Sequence, residues 1–166
     1  MTIRPESSND YQAIREVHIA AFANHPYSHQ TEHLIVEALR ANGALTVSLV
    51  AEMEGKVVGH IAFSPATIDG ASQQWFMVGP VGVLPALQRQ GIGSKLVKEG
   101  LEAIRALEAK GCMLVGEPAY YTRFGFAHNP ALTLEGVPRE VFLCLPMTEH
   151  VPHGKVEHHR AFFVEA

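Results

Sequence analysis

Residues Val78 to Leu101, VGPVGVLPALQRQGIGSKLVKEGL, decide how this chain is read. Val78, Val81, Val83 and Leu84 mark the end of a buried strand, Pro85 makes a turn, Gln88-Arg89-Gln90-Gly91-Ile92-Gly93 forms a loop, and a helix follows. Gly91 and Gly93 have no Cβ, so the backbone there can take unusual dihedrals and a ligand can come close to the main chain. The loop opens onto the first turn of a helix, where N–H groups lack carbonyl partners and the macrodipole is positive. Such a place binds phosphate groups.

Two nucleotide-binding loops fail on spacing. A phosphate-binding loop of the nucleotide triphosphatases needs a glycine five residues before a Gly-Lys-Ser/Thr, whereas here the order is Gly93-Ser94-Lys95. The dinucleotide fingerprint needs a third glycine where Leu96 stands. What fits is Gln/Arg-x-x-Gly-x-Gly/Ala after an apolar strand, carried by Gln88, Gly91 and Gly93.

Working outward, the chain has 166 residues, 47% of them hydrophobic and 18% charged, the size and composition of one α/β domain spanning 1–166. A chain of this length buries roughly two-thirds of its unfolded surface and needs no covalent staples. Cys112 and Cys144 lie in apolar runs without metal-type spacing and read as buried thiols in a reducing compartment. The first ten residues carry neither a basic nor an apolar leader and no run reaches membrane-span length, so the expected location is cytoplasmic, away from membranes. A formal charge of -4 argues against a nucleic-acid partner, while Arg89, Lys95 and Lys98 make the loop locally basic, as an anionic cofactor requires.

The periodicity predicts a short strand at residues 3–6. A helix over residues 10–22 follows, capped by Ser8 or Asn9 with Ile14, Val17 and Ala21 inward, then a helix from about His29 to Ala41 burying Leu34, Ile35, Ala38 and Leu39. An antiparallel meander comes next, with strands at 46–53, 56–68 and 74–84. A crossover helix over 94–110, carrying Val97, Leu101, Ile104 and Leu107 and ended by Gly111, returns to a strand at 112–116 parallel to the one ending at Leu84. A short helix at 118–124 and strands at 131–134, 140–145 and 154–163 complete a mixed sheet of six or seven strands flanked by helices. The two parallel strands splay to form a cleft.

The loop motif resembles the pyrophosphate-binding motif of the GNAT superfamily, the acyl-CoA-dependent N-acyltransferases. Tyr121-x-x-x-Gly125-Phe126 matches a second motif of that superfamily, and residues 116–126, GEPAYYTRFGF, are similar to its YhbS-like branch of N-acetyltransferases. The resemblance runs over essentially the whole chain and implies transfer of an acetyl group from acetyl-CoA, with no metal, to a primary amine that attacks the thioester directly. It implies that Gln88, Arg89, Gln90, Gly91, Ile92, Gly93 and Ser94 hold the pyrophosphate through main-chain N–H groups. Val81 and Val83 would pair with the pantetheine arm, the Val83 N–H polarising the thioester carbonyl. Tyr121 would protonate the departing thiolate; its alternative is a packed aromatic, as Tyr120 can be. For the base, Glu117 and His60 are the candidates, against roles as a helix cap and a core histidine respectively. The acceptor is a small-molecule amine or a protein amine.

Two other readings stand beside this one. His29-Gln-Thr-Glu32-His33 has the ligand spacing of an inverted zinc-protease helix, with Glu32 as base. Ten histidines make such a spacing easy to meet by chance. His150, His153, His158 and His159 form a looser cluster, with His158 and His159 expected on opposite faces of a polar edge strand that can pair with a copy of itself as a homodimer. A non-catalytic module that binds acyl-CoA as a sensor is the third reading.

Overall fold

The computed structural model describes residues 1–165; Ala166 lies outside the described residues. The chain runs β1 (Thr2–Pro5), α1 (Tyr11–Phe22), α2 (Glu32–Ala41), β2 (Val47–Met53), β3 (Lys56–Ile68), β4 (Ala71–Val83), α3 (Ile92–Ala106), β5 (Gly111–Val115), α4 (Pro118–Tyr121), β6 (Leu132–Thr133), β7 (Phe142–Pro146) and β8 (Gly154–Glu157). Strand order is β1-β2-β3-β4-β5-β7, with β8 on β3 and β6 on β8. This is the expected mixed α/β sheet, with eight strands where six or seven were expected. Two of them, β6 and β8, fall within segments expected as strands and form a short parallel pair, β8 joining the far end of β3 at Thr67↔Glu157 and Ile68↔Val156.

Side chains alternate between the two faces of the sheet. Gly59, Ile61, Phe63 and Val83 meet α3, whose Ile92, Leu96, Val97, Leu101 and Ile104 are all buried. His60 and Gly82, paired across β3 and β4, face α1. α1 buries Ile14, Val17 and His18, and α2 buries Ile35, Val36 and Leu39. Burying each large apolar side chain stabilises the fold by roughly 1.5–3 kcal/mol, so the helices are held mainly by the sheet they cover.

The feature that makes the site is where β4 leaves β5. The two run parallel through Trp75↔Gly111, Phe76↔Cys112 and Met77↔Met113, and then part. At that point β4 changes register against β3, between Ile61 and Phe63, and a bulge of this kind bends a strand and sharpens its twist. β5 pairs on its other side with β7 as far as Val115↔Phe142, so the opening lies only between β4 and β5.

Several boundaries differ from the sequence reading. α2 begins at Glu32, after a turn in which the Ser28 hydroxyl bonds Glu32 at 2.8 Å. α1 is entered through a 3-10 turn over Ser8–Asp10, and the Asp10 carboxylate accepts from the Ser7 N–H at 2.7 Å, so Ser7 caps that turn and Asp10, in place of Ser8 or Asn9, is the N-cap residue of α1. α3 spans Ile92–Ala106; Leu107, expected inward, is exposed because Glu108 turns the chain away with a φ of 62°. Gly111 opens β5 rather than ending the helix. β8 stops at Glu157, and a 3-10 turn over Arg160–Phe163 follows, so His158 and His159 are not strand residues. β8 is paired on both sides, by β3 and β6, and is not the free edge expected of it.

Gly111 lies against the Trp75 indole, and a Cβ there would overlap the six-membered ring. Gly111→Ala is expected to destabilise the protein by roughly 1–3 kcal/mol. Thermal denaturation checks this, and an unchanged melting temperature would contradict it.

Candidate active site

The loop between β4 and α3 is shaped by two left-handed residues, Arg89 (φ 65°) and Gly91 (φ 86°). The first amide of α3 to be accepted by a carbonyl is that of Lys95, bonded to Gly91 O at 3.0 Å. Among the described residues, the N–H groups of 89–94 donate to no protein acceptor, so six consecutive donors stand at a helix N-terminus. Gln88 turns inward instead: its Nε2 donates to Val83 O at 3.0 Å, tying the loop to the strand end. Arg89, Lys95 and Lys98 are exposed and leave the mouth basic.

The strand supplies further donors. Leu84 N–H donates to Val58 O at 2.9 Å, toward β3. Amides alternate along a strand, so those of Val83 and Val81 point the other way, to the edge that β5 has left. The β4 edge and the α3 N-terminus thus offer two sets of unpaired N–H groups, separated by the bonded turn of residues 84–88, and together they suit an extended polar chain ending in a diphosphate.

Tyr121 ends α4, across this cleft from β4. Its ring lies on Gly116, where a Cβ would come within 2.5 Å of Cε2, and packs edge-on to Tyr120 and Phe126. The hydroxyl makes no protein hydrogen bond and is not sealed from solvent. Burial, and next the neighbouring Tyr120, push the phenol up to about 12, so it stays protonated at neutral pH. Tyr120 carries its hydroxyl toward Gly93, 3.4 Å from where a Cβ would stand, and Arg123 covers its ring at 4.6 Å. Burial raises its pKa as well.

The base candidates separate. Glu117 is the N-cap of α4, its carboxylate accepting from the Ala119 N–H at 3.4 Å, and it remains exposed at the end of β5. His60 is wholly buried and both ring nitrogens are engaged, Nδ1 with His18 Nε2 at 2.8 Å and Nε2 with Ser48 Oγ at 2.8 Å. It has no nitrogen open to a substrate. His18 was not singled out from the sequence, because only the crossing of α1 over β3 and β4 brings it to His60 and Gly82. Its spacing from Ile14 and Val17 on the buried face was the available signal.

The zinc spacing does not assemble. His29 precedes α2, whereas Glu32 and His33 are in it, so the two histidines share no helical face. Among the described residues no three His, Cys, Asp or Glu side chains cluster as a metal site. His158 packs on Phe162 at 4.5 Å, and His159 Nδ1 accepts from the Ala161 N–H at 3.1 Å; both serve the C-terminal turn. Cys112 and Cys144 are buried free thiols.

Burial, then the charge of Arg40, depresses His60 to about 3, and burial depresses His158 to about 4. Unfolding returns both to about 6.5, so the unfolded chain binds more protons below that pH. Stability should therefore fall steadily from pH 6.5 toward pH 3. Urea midpoints at pH 7, 5.5 and 4.5 measure this. A midpoint independent of pH over that range would contradict it.

Known proteins share this architecture. Residues 45–128 match the family model of the acetyltransferase (GNAT) domain. YhbS of Escherichia coli K12, an uncharacterized N-acetyltransferase, is 37% identical over 109 residues, a match covering 65% of this chain and 65% of YhbS. YjhQ of the same strain, also an uncharacterized N-acetyltransferase, is 34% identical over 140 residues, covering 82% of this chain and 74% of YjhQ. A GNAT family acetyltransferase from Brucella melitensis, solved in complex with acetyl-CoA, superposes with a TM-score of 0.88 at 48% identity over 97% of each chain. The E. coli YhbS structure in complex with CoA gives 0.85 at 29% identity, over 99% of this chain and 93% of that one. The unpaired amides at the split between β4 and β5 therefore sit in a chain that belongs to the GNAT acetyltransferase family.

Proposed function

We propose that this protein transfers the acetyl group of acetyl-CoA to a primary amine, with both substrates bound in the cleft between β4 and β5. The observation that carries this reading is the two sets of free amides at one opening, those of Val81 and Val83 on the β4 edge and those of residues 89–94 at the α3 N-terminus. The pantetheine arm occupies the strand position that β5 vacates, and the pyrophosphate takes the N–H groups from Arg89 to Ser94, with Gln88 holding the loop in place. Relatives solved with acetyl-CoA and CoA support the same cofactor here.

The amine attacks the carbonyl carbon, whose oxygen is polarised by the Val83 N–H. Tyr121 protonates the departing thiolate, a role its raised pKa and open hydroxyl suit. Acceptors of this chemistry are small amines or the amines of a protein chain. Among the described residues no helix is long and apolar enough to cross a membrane. Free Cys112 and Cys144 support a reducing, cytoplasmic setting.

Thiol release from acetyl-CoA with spermidine, ethanolamine and a lysine-containing peptide tests the reading. Tyr121→Phe is expected to lower kcat by about 10²-fold or more while leaving CoA affinity unchanged by calorimetry. Gly91→Val, which forces a β-branched residue into a left-handed conformation, should weaken CoA binding by about tenfold. Tight CoA binding with no thiol release from any amine would overturn the transferase reading in favour of an acyl-CoA sensor.

A further inference from the structure

Tyr120 and Tyr121 are consecutive on α4, and they aim at different places. Glu117 caps this short helix and Pro118 opens it, so both side chains project from a single fixed turn. Their rings pack edge to face at 4.9 Å, and Phe124 lies 5.5 Å from the first and 6.2 Å from the second. A shift of one ring therefore shifts the other.

Tyr121 lies on Gly116 at the end of β5, whereas the Tyr120 hydroxyl crosses the cleft to the first turn of α3. There it stands 3.4 Å from the point a Gly93 Cβ would occupy, with Val83 Cγ2 at 3.8 Å from the same point. The hydroxyl makes no protein hydrogen bond and is open to solvent. Burial raises its pKa, with the charge of Arg123 acting the other way, so it keeps its proton at neutral pH and can donate it.

Its surroundings offer it donors rather than acceptors. The N–H groups of 89–94 are all free, so a seventh donor has been brought to a place where the protein presents six. Donors that converge without an acceptor suit an anion. An oxygen accepting from the Gly93 or Ser94 N–H lies about 2.9 Å from the nitrogen, and O–H···O bonds span about 2.7 Å, so one diphosphate oxygen can accept from both walls of the cleft. Arg123 is exposed and lies 4.6 Å over the Tyr120 ring. It steadies the ring and makes the α4 wall positive, as Arg89, Lys95 and Lys98 do the loop.

We propose that the Tyr120 hydroxyl donates a hydrogen bond to the diphosphate of the cofactor and so fastens α4 to it, beside the residue that protonates the thiolate. The proposal rests on the acetyl-transfer reading and extends it: gripping the cofactor at one end of α4 sets Tyr121 at its sulfur. The contact is non-covalent and transfers no proton. Tyr120 is thus a binding residue, and Arg123 positions it.

Calorimetry with CoA on the wild-type protein and Tyr120→Phe isolates the hydroxyl, because phenylalanine keeps the ring, its packing and the Arg123 contact. Tyr120→Phe is expected to bind CoA about tenfold more weakly. Equal affinity in the two proteins overturns the proposal. Thiol release from acetyl-CoA and from S-acetylpantetheine, which lacks the diphosphate, with spermidine and with a lysine-containing peptide, locates the contact. The wild-type preference for acetyl-CoA, as a ratio of kcat/KM values, should shrink about tenfold in Tyr120→Phe, since only the substrate with a diphosphate loses a bond. An unchanged ratio means that the hydroxyl acts on the pantetheine arm or on the fold, and overturns the proposal. If the wild-type protein binds CoA but releases no thiol, the transferase reading falls, and the calorimetry still decides the Tyr120 contact.

Discussion

The structure depends on one broken pairing. β4 and β5 share three residues of parallel ladder and then separate, and backbone N–H groups normally satisfied by a neighbouring strand are left facing a cleft. Unmade backbone hydrogen bonds are expensive to bury and inexpensive to offer to a ligand. The rest of the fold holds the break open. β7 secures β5 from outside, the bulge opposite Ile61–Phe63 bends β4, and α3 packs its apolar face on β3 and β4 so that its N-terminus meets the end of the strand.

The two faces of β4 divide the work. The α3 face is apolar and carries Val81 and Val83 beside the glycine loop, and its packing holds the helix in place. The α1 face carries buried histidines whose charged forms are disfavoured by burial. Gly82 joins them, since any larger residue there would push His18 off its partner. A strand one residue out of register would exchange these faces, which is why the pairing of Gly82 with His60 matters as much as the motif itself.

What the sequence revealed and what it hid follow from locality. The glycine loop and the short helix that carries Tyr121 were legible as structure because each is a short run with marked residue types and spacing. The meander and crossover helix were legible because their hydrophobic periods are long and regular. The start of α2 was misplaced because His29 to Thr31 have no distinguishing pattern and a Ser28–Glu32 contact decides it. The strand expected at 131–134 is only Leu132–Thr133, because its length is set by the partner it pairs with in β8. The buried hydrogen-bond chain from His18 through His60, Ser48 and Glu6 to Arg40 could not be read at all: its residues come from four separate elements and the turn that follows β1, and only tertiary packing joins them.

The central claim concerns specific amides, and amide-resolved hydrogen exchange with and without CoA tests it most directly. Strong slowing of Val81, Val83 and residues 90–94 on adding CoA, with little change along β1 and β2, is the predicted result. Protection located elsewhere, or none at these positions under saturating CoA, would contradict the account.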